Sequence, residues 1–213
     1  MINSIKNKNW NNQQFRSEEE TTFAIWLDAA IKHGLVEYWS YEPKKYQILS
    51  KEYLTLKFST KSGKARTHKY KVAKDQTYTP DFFVIFTDKF ISKYKNNDQS
   101  PLYYYQQFDS FGIVIYNKFM GDEKRCVMFD VKPPNLTWVR SISTSASTFY
   151  IKQSLMWVNN GIIVNKVVTD QFMKKTFVPD GIAFMKSRKV KTRYKRYINC
   201  KLESEIFLQK ELF

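Results

Sequence analysis

The chain has 213 residues, with 35 Lys and Arg against 20 Asp and Glu, for a formal charge of +15. Hydrophobic residues make up 43% and aromatic residues 17%, which is enough for a packed core and excludes a chain disordered throughout. The cationic surplus favours a polyanionic partner, nucleic acid ahead of a membrane, without specifying any chemistry.

The two cysteines, Cys126 and Cys200, cannot form a disulfide framework, and nothing near them has zinc-ligand spacing. A reducing compartment is therefore expected. The first twelve residues are polar, with no apolar core of a signal peptide, and no apolar run approaches membrane-spanning length. The expectation is a soluble cytoplasmic protein with no membrane partner.

In chain order, residues 1–16 are rich in Asn, Gln and Lys and read as a flexible N-terminal arm. A helix is expected from Glu18 to His33. Ser17 is its N-cap, Phe23, Trp26, Leu27, Ala30 and Ile31 its apolar face, and Gly34 its end. Ser17 and Glu20 have capping-box spacing, and Glu20 also lies at the margin of the apolar face, within reach of a neighbouring sheet. Tyr46 to Leu49 and Tyr53 to Phe58 read as strands or a hairpin, with Lys61 to Lys64 as its turn. Residues 61–74 hold six Lys or Arg and no acid, which suits either a solvated strand edge or a DNA contact.

Tyr78 to Phe86 and Val127 to Lys132 are β-branched and aromatic runs, each carrying a carboxylate where the pattern should stay apolar: Asp81 and Asp130. Strand alternation sets Asp130 and Lys132 on one face and Phe129 and Val131 on the other. If the Asp81 strand pairs beside this one, two acids and an ammonium meet at one edge of a small sheet. Adjacent carboxylates repel unless a cation lies between them, and hard oxygen donors favour Mg²⁺ or Mn²⁺.

Thr87 to Pro101 reads as a loop, Gly112 to Tyr116 as a strand, and Tyr103 to Tyr105 as a packing cluster able to stack on bases. Pro133 and Pro134 stop the Asp130 strand. A Ser/Thr-rich stretch with Arg140 follows, then a helix from Ser147 to Asn159 carrying Lys152 and Gln153, and a strand from Ile162 to Val168. Asp180 lies in a Pro-Asp-Gly turn and reads as structural. From Lys186 to Tyr197 the chain is densely basic, with Lys186, Arg188, Lys189, Lys191, Arg193, Lys195 and Arg196. With Arg140, these are the candidate DNA-binding residues. Leu202 to Phe213 has helical spacing and can dock back or join a dimer. No Gly-rich phosphate loop is present.

Pro80-Asp81, a spacer and Asp130-Val131-Lys132 together resemble the PD-(D/E)XK nuclease superfamily. The helix opening at Ser17-Glu18-Glu19-Glu20, the helix through Lys152 and Gln153 and the strand after it follow the family's order over residues 15–168. Phage-encoded members, junction-resolving endonucleases among them, are similar in that order. The spacer between the two acidic motifs is longer than the family's usual hairpin.

The resemblance implies an α/β, restriction-endonuclease-like core: a mixed central sheet flanked by helices, with an insertion between the acidic strands and a basic C-terminal extension. The corresponding divisions are 1–16 arm, 17–180 nuclease domain and 181–213 extension. The implied activity is Mg²⁺-dependent (or Mn²⁺-dependent) hydrolysis of DNA phosphodiesters, including branched DNA, by a homodimer, in the host cytoplasm if the protein is phage-encoded. Asp81, Asp130 and Glu20 with the Val131 carbonyl are the implied metal ligands, Glu19 replacing Glu20 in a variant of the scheme, and Lys132 and Lys152 complete the catalytic set. The alternative from the residues themselves is a non-catalytic, basic nucleic-acid-binding protein whose acids pair with lysines.

Overall fold

The computed structural model describes residues 9–95, 126–133, 144–183, 197 and 199–207, with backbone alone for 94–95 and 144–147. Arg140, the basic run 186–196, the tyrosine cluster at 103–105 and the strand expected at 112–116 lie outside the described residues.

Helix α1 (Glu18–Lys32) forms where its end signals put it. The Ser17 side chain accepts from Glu20 N at 3.1 Å, satisfying one of the amides that the first turn leaves open. At the other end Gly34, at φ +63°, lets Gly34 N reach Ile31 O and Leu35 N reach Ala30 O, closing the last carbonyls. Phe23, Trp26, Leu27 and Ala30 are fully buried, whereas Ile31, expected on the same face, is 41% exposed. The buried stripe instead widens toward Thr22 and Ala29.

The central sheet has four strands: β3 (Val36–Tyr41), β8 (Phe82–Phe86), β9 (Cys126–Val131) and β10 (Val164–Val167), in the order β10-β9-β8-β3. β10 runs parallel to β9 and the other pairings are antiparallel, so the sheet is mixed. Every residue of β9 is buried, because both faces of the sheet are covered. On one face Phe82, Phe86 and Phe129 pack against Phe23 and Phe172, the latter from helix α4 (Thr169–Lys175). Phe23 makes edge-on contacts with Phe82, Phe129 and Phe172 at 5.2–5.5 Å between ring centres. On the other face Met128, Phe149, Met156 and Val164 form a second cluster beneath helix α3 (Thr144–Asn160). The chain is thus a mixed α/β fold with a mixed central sheet flanked by helices.

Several elements depart from the sequence reading. Residues 9–16, expected in a loose arm, include the short hairpin β1 (Asn9–Trp10) and β2 (Gln13–Gln14). Trp10 Nε1 donates to Asp28 at 2.6 Å and Phe15 is 2% exposed, so two aromatic side chains fasten the segment to the core. The stretch from Thr87, expected as a loop, contains helix α2 (Asp88–Lys95). Thr87 caps it by accepting from Phe90 N, and Phe90 stacks on Phe86 at 4.0 Å. Strand β4 (Tyr46–Leu49) pairs with β7 (Gln76–Tyr78), while β5 (Glu52–Ser59) and β6 (Ala65–Ala73) form a separate two-stranded ribbon around the Lys61–Lys64 turn.

The Asp180 segment opens a short helix α5 (Asp180–Ala183), where Asp180 accepts from Ser204 Oγ, a structural role as expected. Within the expected C-terminal extension, Tyr197 and Cys200 belong to the main core. His33 Nε2 lies 2.7 Å from Glu203, which opens helix α6 (Glu203–Phe207), and its ring stacks on Phe207. No helix among the described residues is long and apolar enough to cross a membrane.

Candidate functional site

The antiparallel register of β8 and β9 pairs Phe82 with Phe129. One step outward, the register sets Asp81 beside Asp130, and both carboxylates lie on the sheet face away from the Phe82 and Phe129 rings. The Asp81 Oδ2 atom accepts from Val131 N at 2.7 Å, a buried bond that fixes the side chain across the strand pair. Asp130 Oδ2 in turn lies 2.7 Å from Lys132 Nζ, as the strand alternation requires. Positions 81, 130 and 132 therefore meet, despite the long spacer between them.

These three groups line a cleft of about 540 Å³ together with Tyr78 and Lys152. Asp81 is 9% and Asp130 4% exposed. Burial, followed by the hydrogen bond and charge of Asp130, pushes the Asp81 carboxyl well above the usual carboxylate range, and Lys132 and the Val131 amide only partly oppose it. The pair thus retains a proton to limit its charge, in a place where a cation would do the same.

The rim of the cleft is cationic. Lys132 Nζ lies 5.7 Å above the Phe149 ring, and Lys152 Nζ lies 5.4 Å above the Tyr78 ring, so an aromatic face steadies each ammonium. Gln153, next to Lys152 on α3, donates to Val164 O at 2.6 Å and ties α3 to β10.

Glu20 does not line this cleft. Its Oε2 accepts from Arg16 N at 2.9 Å and from Tyr41 Oη at 2.7 Å. Burial and this carboxylate push the Tyr41 phenol up. Among the described residues, no three His, Cys, Asp or Glu side chains come together as a metal-holding set. The expected three-acid cluster is therefore not formed: Glu20 is committed to the amide and phenol beside it.

Three contributors had no role in the sequence reading. Arg16 reaches the cleft because Glu20 holds its amide, and its guanidinium pairs with Glu42 at 2.6 Å. Tyr78, on β7, faces Asp130. Its Oη is buried without a well-formed hydrogen bond, so the contact is better regarded as electrostatic, and burial, then Asp130, push its pKa up. Lys166 stands opposite Asp130 in the parallel β9–β10 register. Burial, then repulsion from Lys132, lowers its pKa, and Asp130 opposes this. A lone lysine within the apolar run Ile162 to Val168 was the available signal for Lys166. Arg16 carried none, since its position depends on a contact with Glu20.

Comparison of the chain with family models, curated proteins and solved structures finds no significant match.

Proposed function

We propose that this protein is a DNA endonuclease dependent on Mg²⁺ or Mn²⁺, built on a restriction-endonuclease-like core of the PD-(D/E)XK type. The observation that carries this reading is the buried Asp81 and Asp130 pair in a cleft whose other charged groups are cations. Two adjacent carboxylates removed from water are costly to ionise together, and a divalent ion can replace the proton they retain. The donors are hard oxygens, and Mg²⁺ is commonly held by one or two carboxylates while keeping several waters, so this set fits without a third acid.

Asp81 and Asp130 would hold the ion, with the Val131 carbonyl as a main-chain donor; once bound, the ion supplies Lewis acidity and a water of lowered pKa. Lys132, tethered by Asp130, orients the attacking water and offsets charge gathering on the phosphate oxygens. Lys152 approaches the same phosphate from α3, and Arg16 meets the backbone at the mouth of the cleft. Glu20 is a positioning residue that acts through Arg16 and Tyr41.

A linear, nicked and four-way DNA series tests whether branched DNA is the preferred substrate, and light scattering tests the homodimer such cleavage calls for. The Asp130→Asn variant should lose Mg²⁺-dependent cleavage while retaining DNA binding, because the carboxylate meets the metal rather than the DNA. Cleavage at the wild-type rate would refute the reading. The short Asp130–Lys132 ion pair favours the second reading, a non-catalytic nucleic-acid binder, which predicts binding with no cleavage in any divalent ion.

A further inference from the structure

The β5–β6 ribbon contributes no residue to the lining of the cleft. Among the described residues its two strands pair only with each other, and every residue in them except Ala73 is exposed. At ~3.4 Å per residue it projects ~27 Å. An isolated two-stranded ribbon is marginal in water, so its cross-strand side-chain pairs matter to its stability.

The register sorts those side chains by chemistry. Leu54 pairs with Tyr70, Leu56 with His68 and Phe58 with Arg66 on one face. Their apolar members are 45–58% exposed, which means that neighbours on the ribbon cover much of each. Cross-strand aromatic and aliphatic pairs of this kind stiffen a ribbon. The reverse face carries Tyr53, Thr55, Lys57, Thr67, Lys69 and Lys71, the residue types that contact phosphate and sugar. From Tyr53 to Lys74 there are seven Lys or Arg and no acid.

The ribbon also has a fixed origin. Its second strand leads through β7, where Thr77 and Tyr78 line the cleft, to Asp81. At its base Asp75 accepts from Lys51 N at 2.8 Å and clamps the two strands together.

From the segregated faces, the positive charge from Tyr53 to Lys74 and the origin at the rim of the cleft, we infer that the β5–β6 ribbon is a DNA-binding arm. Its Lys57, Lys69 and Lys71 face grips the phosphate backbone of duplex flanking the cleft. The inference rests on the nucleic-acid part of the proposed function and adds where the flanking duplex is held. It requires no sequence preference, because the gripping face carries phosphate-contacting groups.

The test is binding of a fluorescent 30-base-pair duplex by anisotropy, in EDTA, over a series of KCl concentrations, with a Lys57→Gln/Lys69→Gln/Lys71→Gln variant of the full chain. Affinity near 0.1 M salt should fall about 10- to 100-fold, and the slope of log affinity against log salt should shrink by about 3. The melting midpoint should be unchanged, since all three lysines are exposed. Unaltered affinity and slope, or no binding by the wild-type chain, would overturn the inference. It would also be overturned if light scattering found a dimer that Leu56→Ser/Phe58→Ser converts to monomer while the lysine variant binds DNA normally; the ribbon would then serve self-association. Loss of affinity in the lysine variant, with no cleavage by the wild-type chain in Mg²⁺, would uphold the arm and reject the hydrolase.

Discussion

Replacing Asp81 with Asn isolates the strain between the two carboxylates. Asp81 has its pKa raised in the folded chain, so the fold binds a proton that the unfolded chain gives up near 3.8. Stability from this group is complete below the unfolded value and is lost as pH rises toward the folded one, a window that reaches past neutrality. Within that window the loss approaches ~1.4 kcal/mol per pH unit. For a chain of this size ~1 kcal/mol moves the melting midpoint by about 2–4 °C, so the slope should be about 3–6 °C per pH unit. Asn cannot ionise, yet its carbonyl can still accept from Val131 N in place of Asp81 Oδ2.

The assay is the melting midpoint of metal-free wild-type and Asp81→Asn protein between pH 6 and 8. His33 and His68 are common to both chains, so the difference between the two curves reports the carboxyl. The wild-type midpoint should fall more steeply by the amount above, leaving the variant relatively more stable at pH 8. Mg²⁺ at one hundred times its dissociation constant should add ~2.7 kcal/mol to the wild type. At a fixed Mg²⁺ concentration the gain should grow with pH as the ion takes over from the proton, and it should largely vanish in the variant. Parallel curves, or an equal Mg²⁺ response from both proteins, would refute the shared-proton argument.

Lys132→Met should leave DNA binding in EDTA within a few-fold of wild type but slow single-turnover cleavage in Mg²⁺ by about 10²–10⁴-fold, the range for a group acting on the transferred proton or the charged transition state. Glu20→Ala removes the acceptor for Arg16 N and Tyr41 Oη inside the core, and should cost about 2–3 kcal/mol in urea unfolding. Its cleavage rate should also fall, because Arg16 loses its anchor; unchanged activity would remove Arg16 from the site. Phe23→Ala vacates the contact shared by Phe82, Phe129 and Phe172, and should cost about 3–5 kcal/mol by the same measurement.

The elements most legible in the sequence were those whose signals are local. Ser17 and Gly34 bounded α1 because capping depends on residues within one turn, and the alternation of Val127 to Lys132 assigned each side chain its face. Helix α2 was missed because its anchor is the stack of Phe90 on Phe86, a tertiary contact that outweighed the polar composition after Thr87. Strand β3 drew no expectation, since Val36 to Tyr41 mixes Glu and Ser into its aromatics and is defined by pairing with β8. The hairpin at 9–14 looked like an arm for a similar reason: Trp10 and Phe15 find their partners only when α1 is folded.

What the sequence determined by itself was a strand-borne acid and amine at 130 and 132, a second acid at 81 and a strongly basic chain, because side-chain identity and period are written residue by residue. Whether the two acids meet was decided by the β8–β9 register, which no local pattern specifies across so long a spacer. Lys166 was brought opposite Asp130 by a second register, that of β9 with β10, and Tyr78 faces Asp130 from β7. Glu20 was turned toward Arg16 and Tyr41 because a buried carboxylate takes the nearest donors, and only packing settles which those are.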